Sequence, residues 1–219
     1  MSVVREEFGP TLPELLAPRM RRLPGAARVV VGALALAVVV ALAWLALRPA
    51  PGQAGIVVRG PIAFNLITTE GVQRVAPRNG ELLRLLATAA GPQTFTVRRL
   101  AIPQYHGDVT AELTFMASGL IDDMQAHVPG FVLRSEGRAR INTSPGYQIV
   151  YQVQIGTHTG YGRRILLVPD PGIEAHPRVA ADIDLRAARS PAIPNVDAIG
   201  NNGVLKTPLR SFRFGTARP

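Results

Sequence analysis

The chain has 219 residues, no cysteine, and 24 Lys and Arg against 15 Asp and Glu, a net charge of +9. The absence of cysteine excludes a disulfide-stapled fold, a thiolate-held zinc or iron–sulfur site, a cysteine nucleophile and a cysteine-linked lipid anchor. Lys206 is the sole lysine, and the arginine skew, with abundant Ala, Gly, Pro and Val, reads as GC-rich codon usage.

Residues 1–28 are too short for a domain and are expected to form a cytoplasmic tail. Within it, Thr11 and Glu14 fit a capping box at the start of a helical turn carrying Leu15 and Leu16, which Pro18 ends. These four residues make a candidate docking motif for a cytoplasmic partner. The competing reading is a tail lying on lipid headgroups, its arginines meeting anionic lipid.

Val29 to Leu47 is an uncharged apolar run. As a helix it is roughly 28 Å long, about the thickness of a hydrocarbon core. It is expected to cross the lipid bilayer once, with Trp44 as an interfacial anchor. Arg19, Arg21, Arg22 and Arg28 precede the run, whereas Arg48 and Arg59 follow it. That asymmetry places the N-terminus in the cytoplasm and the C-terminal part outside. A cleaved signal peptide is the alternative, because Ala50 to Ala54 offers small residues, but 28 residues precede the run. Residues 48–60, rich in Pro and Gly, are expected to be a linker, and 61–219 one extracytoplasmic α+β domain with a mainly antiparallel sheet and flanking helices.

In that domain Ile62–Thr68 and Val72–Ala76 read as two strands of a hairpin joined at 69–71. Gly80–Ala90 reads as a short helix with Leu82, Leu83, Leu85 and Leu86 inward. Thr94–Ile102 is a strand. Asp108 caps the longest helical pattern, which ends at His127 and carries Val109, Leu113, Met116, Leu120, Ile121 and Met124 on one face. Phe131–Ile141, Tyr147–Ile155 and Tyr161–Val168 follow as strands, the second with Tyr147, Ile149, Tyr151, Val153 and Ile155 alternating against glutamines. Gly137 is a candidate bulge in the first of these strands. Val179–Arg189 is expected to be a helix, Val196–Gly200 is ambiguous, and Leu209–Gly215 reads as a last strand.

The four histidines, His106, His127, His158 and His176, have no metal-binding spacing. Asp122 and Asp123 diverge on a helix, and Asp182 and Asp184 share a face only if their segment is a strand. Neither a nucleophile elbow nor an S-x-x-K pattern occurs. No cofactor, metal or catalytic residue is therefore assigned. Arg138 and Arg140, with Tyr147, Tyr151, Tyr161 and Arg163, form a candidate basic, aromatic-edged binding face for an anionic ligand or partner. Outside the cytoplasm that partner is an envelope polymer or lipid headgroup rather than nucleic acid. The bland reading is a solvated arginine face.

Phe64-Asn65-Leu66, the run from Phe131 to Arg138, and Pro145 to Tyr151 entering a long strand carry a resemblance. Together with the order of elements, they resemble the Mog1/PsbP-like α/β/α sandwich over about residues 60–215, on a single-pass bacterial membrane protein. The Pro-rich segment 190–208 and the lack of a long C-terminal helix depart from that pattern. The resemblance implies a binding or assembly role and transfers no catalytic set. The reading that follows is a membrane-anchored, extracytoplasmic binding or scaffolding protein with an envelope protein partner. The alternative is an envelope enzyme or ligand-binding protein acting on a small anionic molecule or polymer.

Overall fold

The structure, a computed structural model, describes residues 24–47, 52–88, 91–170, 172, 174 and 176–217. They fall into two compact units, divided between Ala50 and Pro51. The first contains helix α1 (Gly25–Leu47). Its large apolar side chains are exposed around the helix, among them Val29, Leu34, Val39 and Leu42. Among the described residues no helix is long and apolar enough to cross a membrane. The side chains of Val31, Ala43 and Leu45 to Leu47 lie outside the described residues. The tail residues Thr11, Glu14, Leu15 and Leu16 also lie outside the described residues.

The second unit holds two antiparallel sheets. The smaller is β1 (Ala54–Val58), β2 (Phe64–Thr68) and β10 (Arg213–Phe214), with β2 in the middle. The larger has seven strands: β3 (Val72–Val75), β4 (Glu81–Ala87), β5 (Gln93–Ala101), β6 (Val132–Ile141), β7 (Ser144–Ile155), β8 (His158–Leu167) and β9 (Val179–Ala188). Their spatial order is β3-β4-β5-β9-β8-β7-β6. Helix α2 (Val109–His127) packs on one face of this sheet, mainly on β7. On the other face lie the small sheet, a 3-10 turn (Val196–Ala198) and helix α3 (Lys206–Ser211).

Each face buries its own apolar set. Phe64 and Leu66 from β2 meet Leu83, Leu85, Phe95, Val97, Ile165 and Ile183. Phe64 stacks on Phe212 at 5.1 Å. On the opposite face Val109, Leu113, Ala117 and Met124 of α2 meet Tyr147, Ile149, Tyr151 and Val153 of β7. The alternation expected along β7 therefore points its aromatic parity at the helix. Asp108 caps α2 as its residue type predicts, accepting from the Thr110 N–H at 2.9 Å.

Several expectations are corrected. The described part of the expected helix 80–90 is not helical but contains β4, whose alternating burial sends Leu83, Leu85 and Ala87 into the core. Paired leucines satisfy both the helical and the strand period, and pairing with β5 decides between them. Residues 179–189 are likewise not a helix but hold β9, flanked by β5 and β8 at the centre of the sheet. Its alanines and aspartates are poor strand formers, and two ladders override that preference. Strands β2 and β3 do not form a hairpin, since β2 pairs with β1 and β10, and β3 with β4. β1 occupies part of the expected linker 48–60. The C-terminal strand shrinks to β10, preceded by α3 over residues 206–211. The register shift of β6 lies between Leu133 and Ser135 rather than at Gly137.

Candidate functional site

Because residues 179–188 are a strand, Asp182 and Asp184 do share one face, the face that α2 partly covers. Asp182 takes two hydrogen bonds from Arg164 on β8, at 2.8 and 2.6 Å. Burial alone lowers the Arg164 guanidinium, but the Asp182 hydrogen bonds and charge outweigh it and hold it above its ordinary value. The Tyr151 hydroxyl donates to Asp184 at 2.6 Å, and Arg186 donates to the same carboxylate at 2.9 Å. Burial, then the Asp184 charge, pushes the Tyr151 phenol well up. Further along the face Glu81 accepts from Arg84 at 2.8 Å and from Arg98 at 3.4 Å. These groups satisfy one another, and the hollow beside them is only about 160 Å³. They form a structural ion-pair network rather than a binding chamber.

A roomier cavity, about 450 Å³, opens on the other face of the sheet. Arg140 and Asn142 line it from the β6–β7 turn, Arg163 from β8, Gly200 and Asn201 from the loop after the 3-10 turn, and Arg210 from α3. No carboxylate lines it. Arg163 donates from Nε and Nη2 to the Gln148 Oε1, at 3.0 and 2.6 Å. Its Nη1 reaches the carbonyl of Ile199 and the Asn201 Oδ1 at 3.5 Å each, the outer limit of a hydrogen bond. Burial, then the like charge of Arg210, pulls the Arg163 guanidinium below its ordinary value. Asn142 stands at φ 54° and donates to the carbonyls of Arg210 and Phe212, which ties the turn to the C-terminal segment. Asp197 borders an adjoining hollow shared by Arg163 and Asn201.

The six residues expected to share one binding face are divided by the sheet. Tyr147 and Tyr151 point into the core beneath α2. Arg138, paired across from Tyr147, takes the same side. Tyr161 enters the opposite core, and its hydroxyl donates to the Pro194 carbonyl at 3.4 Å. Arg163 shares the parity of Tyr161. Of the six, Arg140 and Arg163 come together at the 450 Å³ cavity. Strand parity puts Tyr147, Tyr151 and Arg138 on the side of α2, Tyr161 is parted from Arg163 by its place along β8, and Arg140, of the same parity as Arg138, lines the cavity from the end of β6. Arg210, Asn142, Gly200 and Asn201 were not legible as site residues. The cluster Gly200-Asn201-Asn202-Gly203 signals a turn, but nothing in it signals its approach to Arg163. Among the described residues no three His, Asp or Glu side chains gather as a metal site.

No family model and no curated protein matches the chain. Solved structures do. The chain is similar to cyanobacterial PsbP (CyanoP) from Synechocystis sp. PCC 6803, at 11% identity and a TM-score of 0.52, covering 76% of this chain and 95% of that one. The second unit has a PsbP-like fold. LpqN of Mycobacterium tuberculosis, described as involved in cell envelope biogenesis, is similar at 13% identity and a TM-score of 0.49, covering 74% of this chain and 91% of that one. The PsbP-like fold accounts for the mixed α+β architecture with mainly antiparallel sheets. In this chain the layer facing away from α2 is a three-stranded sheet with a short helix rather than a second long helix.

Proposed function

We propose that the protein is a bilayer-anchored binding protein of the cell envelope, with its N-terminus in the cytoplasm and its PsbP-like domain outside. The observation that carries this reading is α1. Its large apolar side chains among the described residues, such as Val29, Leu34, Val38, Val39 and Leu42, are exposed around the helix. A helix that is apolar all round needs an apolar surrounding, and the uncharged run 29–47 has the length of a bilayer crossing. The arginines before the run set the orientation. The PsbP-like likeness supports the fold of the outer domain and leaves its partner open. An envelope protein partner is the first reading. A small anionic ligand is the second, and the 450 Å³ arginine-lined cavity specifically favours it.

The test is a reporter that is active only outside the cytoplasm, fused after Pro219, with alkaline extraction of the membranes. The expected outcome is an active fusion that stays in the membrane pellet. An inactive fusion reverses the orientation, and a fusion released by alkali removes the anchor.

A further inference from the structure

We propose that the cavity between the β6–β7 turn, β8 and α3 is an oxyanion site that takes a phosphoryl group, held by Arg163 and Arg210 with Arg140 at its edge. This inference rests on the anionic-ligand reading above and names the group the site takes.

The molecule supplies its own comparison. Among the described residues the largely buried Arg84 and Arg164 and the partly buried Arg186 each meet a carboxylate, at 2.8, 2.6 and 2.9 Å. Arg163 is next to Arg164 on β8 and points to the other face, where it meets only neutral acceptors. A charge taken partly out of water is unfavourable unless it is paired. The charge that acts on it is a like one, that of a second arginine, Arg210, which lines the same cavity. Among the described residues neither Arg140 nor Arg210 has a carboxylate partner. An anion in the cavity supplies the missing counter-charge.

Geometry agrees. Gln148 fixes two of the Arg163 nitrogens, which leaves the Nη1 N–H groups, held only at 3.5 Å, to donate to a better acceptor that enters the cavity. Gly200 sits at φ 73°, and a Cβ there strikes the Leu209 side chain and comes within 3.5 Å of that Nη1. Glycine thus keeps the loop close to the guanidinium. The volume of about 450 Å³ falls in the range of small-molecule sites. Guanidinium groups match both carboxylate and phosphate, but two adjacent arginines suit the dianion better. The phosphoryl group can belong to a soluble phosphate ester or to a phospholipid headgroup.

The test follows the thermal unfolding midpoint of the full chain in neutral detergent micelles as inorganic phosphate is added. Sodium chloride at equal ionic strength is the reference. The expected result is a saturable rise with phosphate alone. Arg163→Gln and Arg210→Gln are expected to weaken it by roughly tenfold or more, whereas Arg134→Gln, at an exposed β6 position outside the cavity, leaves it intact. Arg210 is exposed, so its variant folds even if Arg163→Gln does not. Equal midpoints in phosphate and chloride overturn the proposal, as does an unchanged phosphate response in Arg210→Gln. The same titration in phosphatidylcholine discs, with and without phosphatidylglycerol, separates the sources. Competition by phosphatidylglycerol assigns the site to a lipid headgroup, and its absence to a soluble ester. Phosphate binding is read on purified protein and sidedness on the fusion, so either can fail alone.

Discussion

Gly162 shows how one residue can set the room for a network. It faces Tyr151 across the β7–β8 ladder. A Cβ there would run into the Tyr151 ring, whose hydroxyl must reach Asp184. Gly162→Ala is therefore expected to lower stability by about 1–3 kcal/mol, the range for overpacking a tight core. Urea unfolding of the full chain in micelles measures it, and an unchanged midpoint would mean that the ring has space to shift. Glu81 gives a pH dependence. Burial raises its carboxyl, but the Arg78 backbone N–H and the Arg84 guanidinium outweigh burial and hold it below the ordinary value. A glutamate in the unfolded chain titrates at about 4.3, so that chain takes up the proton first. The stabilisation is complete above that pH and is lost as pH falls through the lower folded value. Glu81→Gln lacks this component. The stability gap between the two proteins should stay level from pH 7 to about pH 5 and then narrow as pH falls toward about 3, and a gap that stays constant over the whole range would show that the carboxylate contributes nothing through its charge.

At the scale of elements, α2 is the one most fully legible beforehand. Asp108 signals its start, and Val109, Leu113 and Met124 recur on its buried stripe. Ala117 belongs to that stripe too, but alanine is too common in helices to mark a face. Leu113 is completely buried against β7. Leu113→Ala is expected to destabilise the domain by about 2–5 kcal/mol, read by urea unfolding, and a loss below about 1 kcal/mol would mean that the helix rests on the sheet loosely. β4 and β9 were illegible for a different reason. Their letters fit a helix at least as well as a strand, and the local preference is overruled by ladders to β5 for β4 and to β8 and the sequence-distant β5 for β9. The reversal of β9 has chemical consequences, because it brings Asp182 and Asp184 onto one face against Arg164 and Arg186.

Across the whole molecule, the chain joins an apolar helix to a PsbP-like domain with cores on both faces of its large sheet. The fusion experiment belongs at this scale, because sidedness is a property of the run 29–47 and its flanking arginines rather than of any fold. Those features are local: an uncharged run, a charge imbalance, a capped amphipathic helix and the alternation of β7 each lie within one short stretch. They were readable from the letters because hydrophobic period and charge act on neighbours in sequence. The candidate anion site was only half readable. Arg140 and Arg163 could be named, but strand parity sent Tyr147, Tyr151 and Arg138 to the side of α2, Tyr161 went into the core beside Pro194, and Arg140, at the end of β6, lines the cavity with Arg163 and Arg210. Which face each strand turns to which core, and which arginines find a carboxylate, depends on pairings between segments tens of residues apart. Hydrogen-bonded ladders and burial settle those pairings together, and no single stretch of sequence contains them.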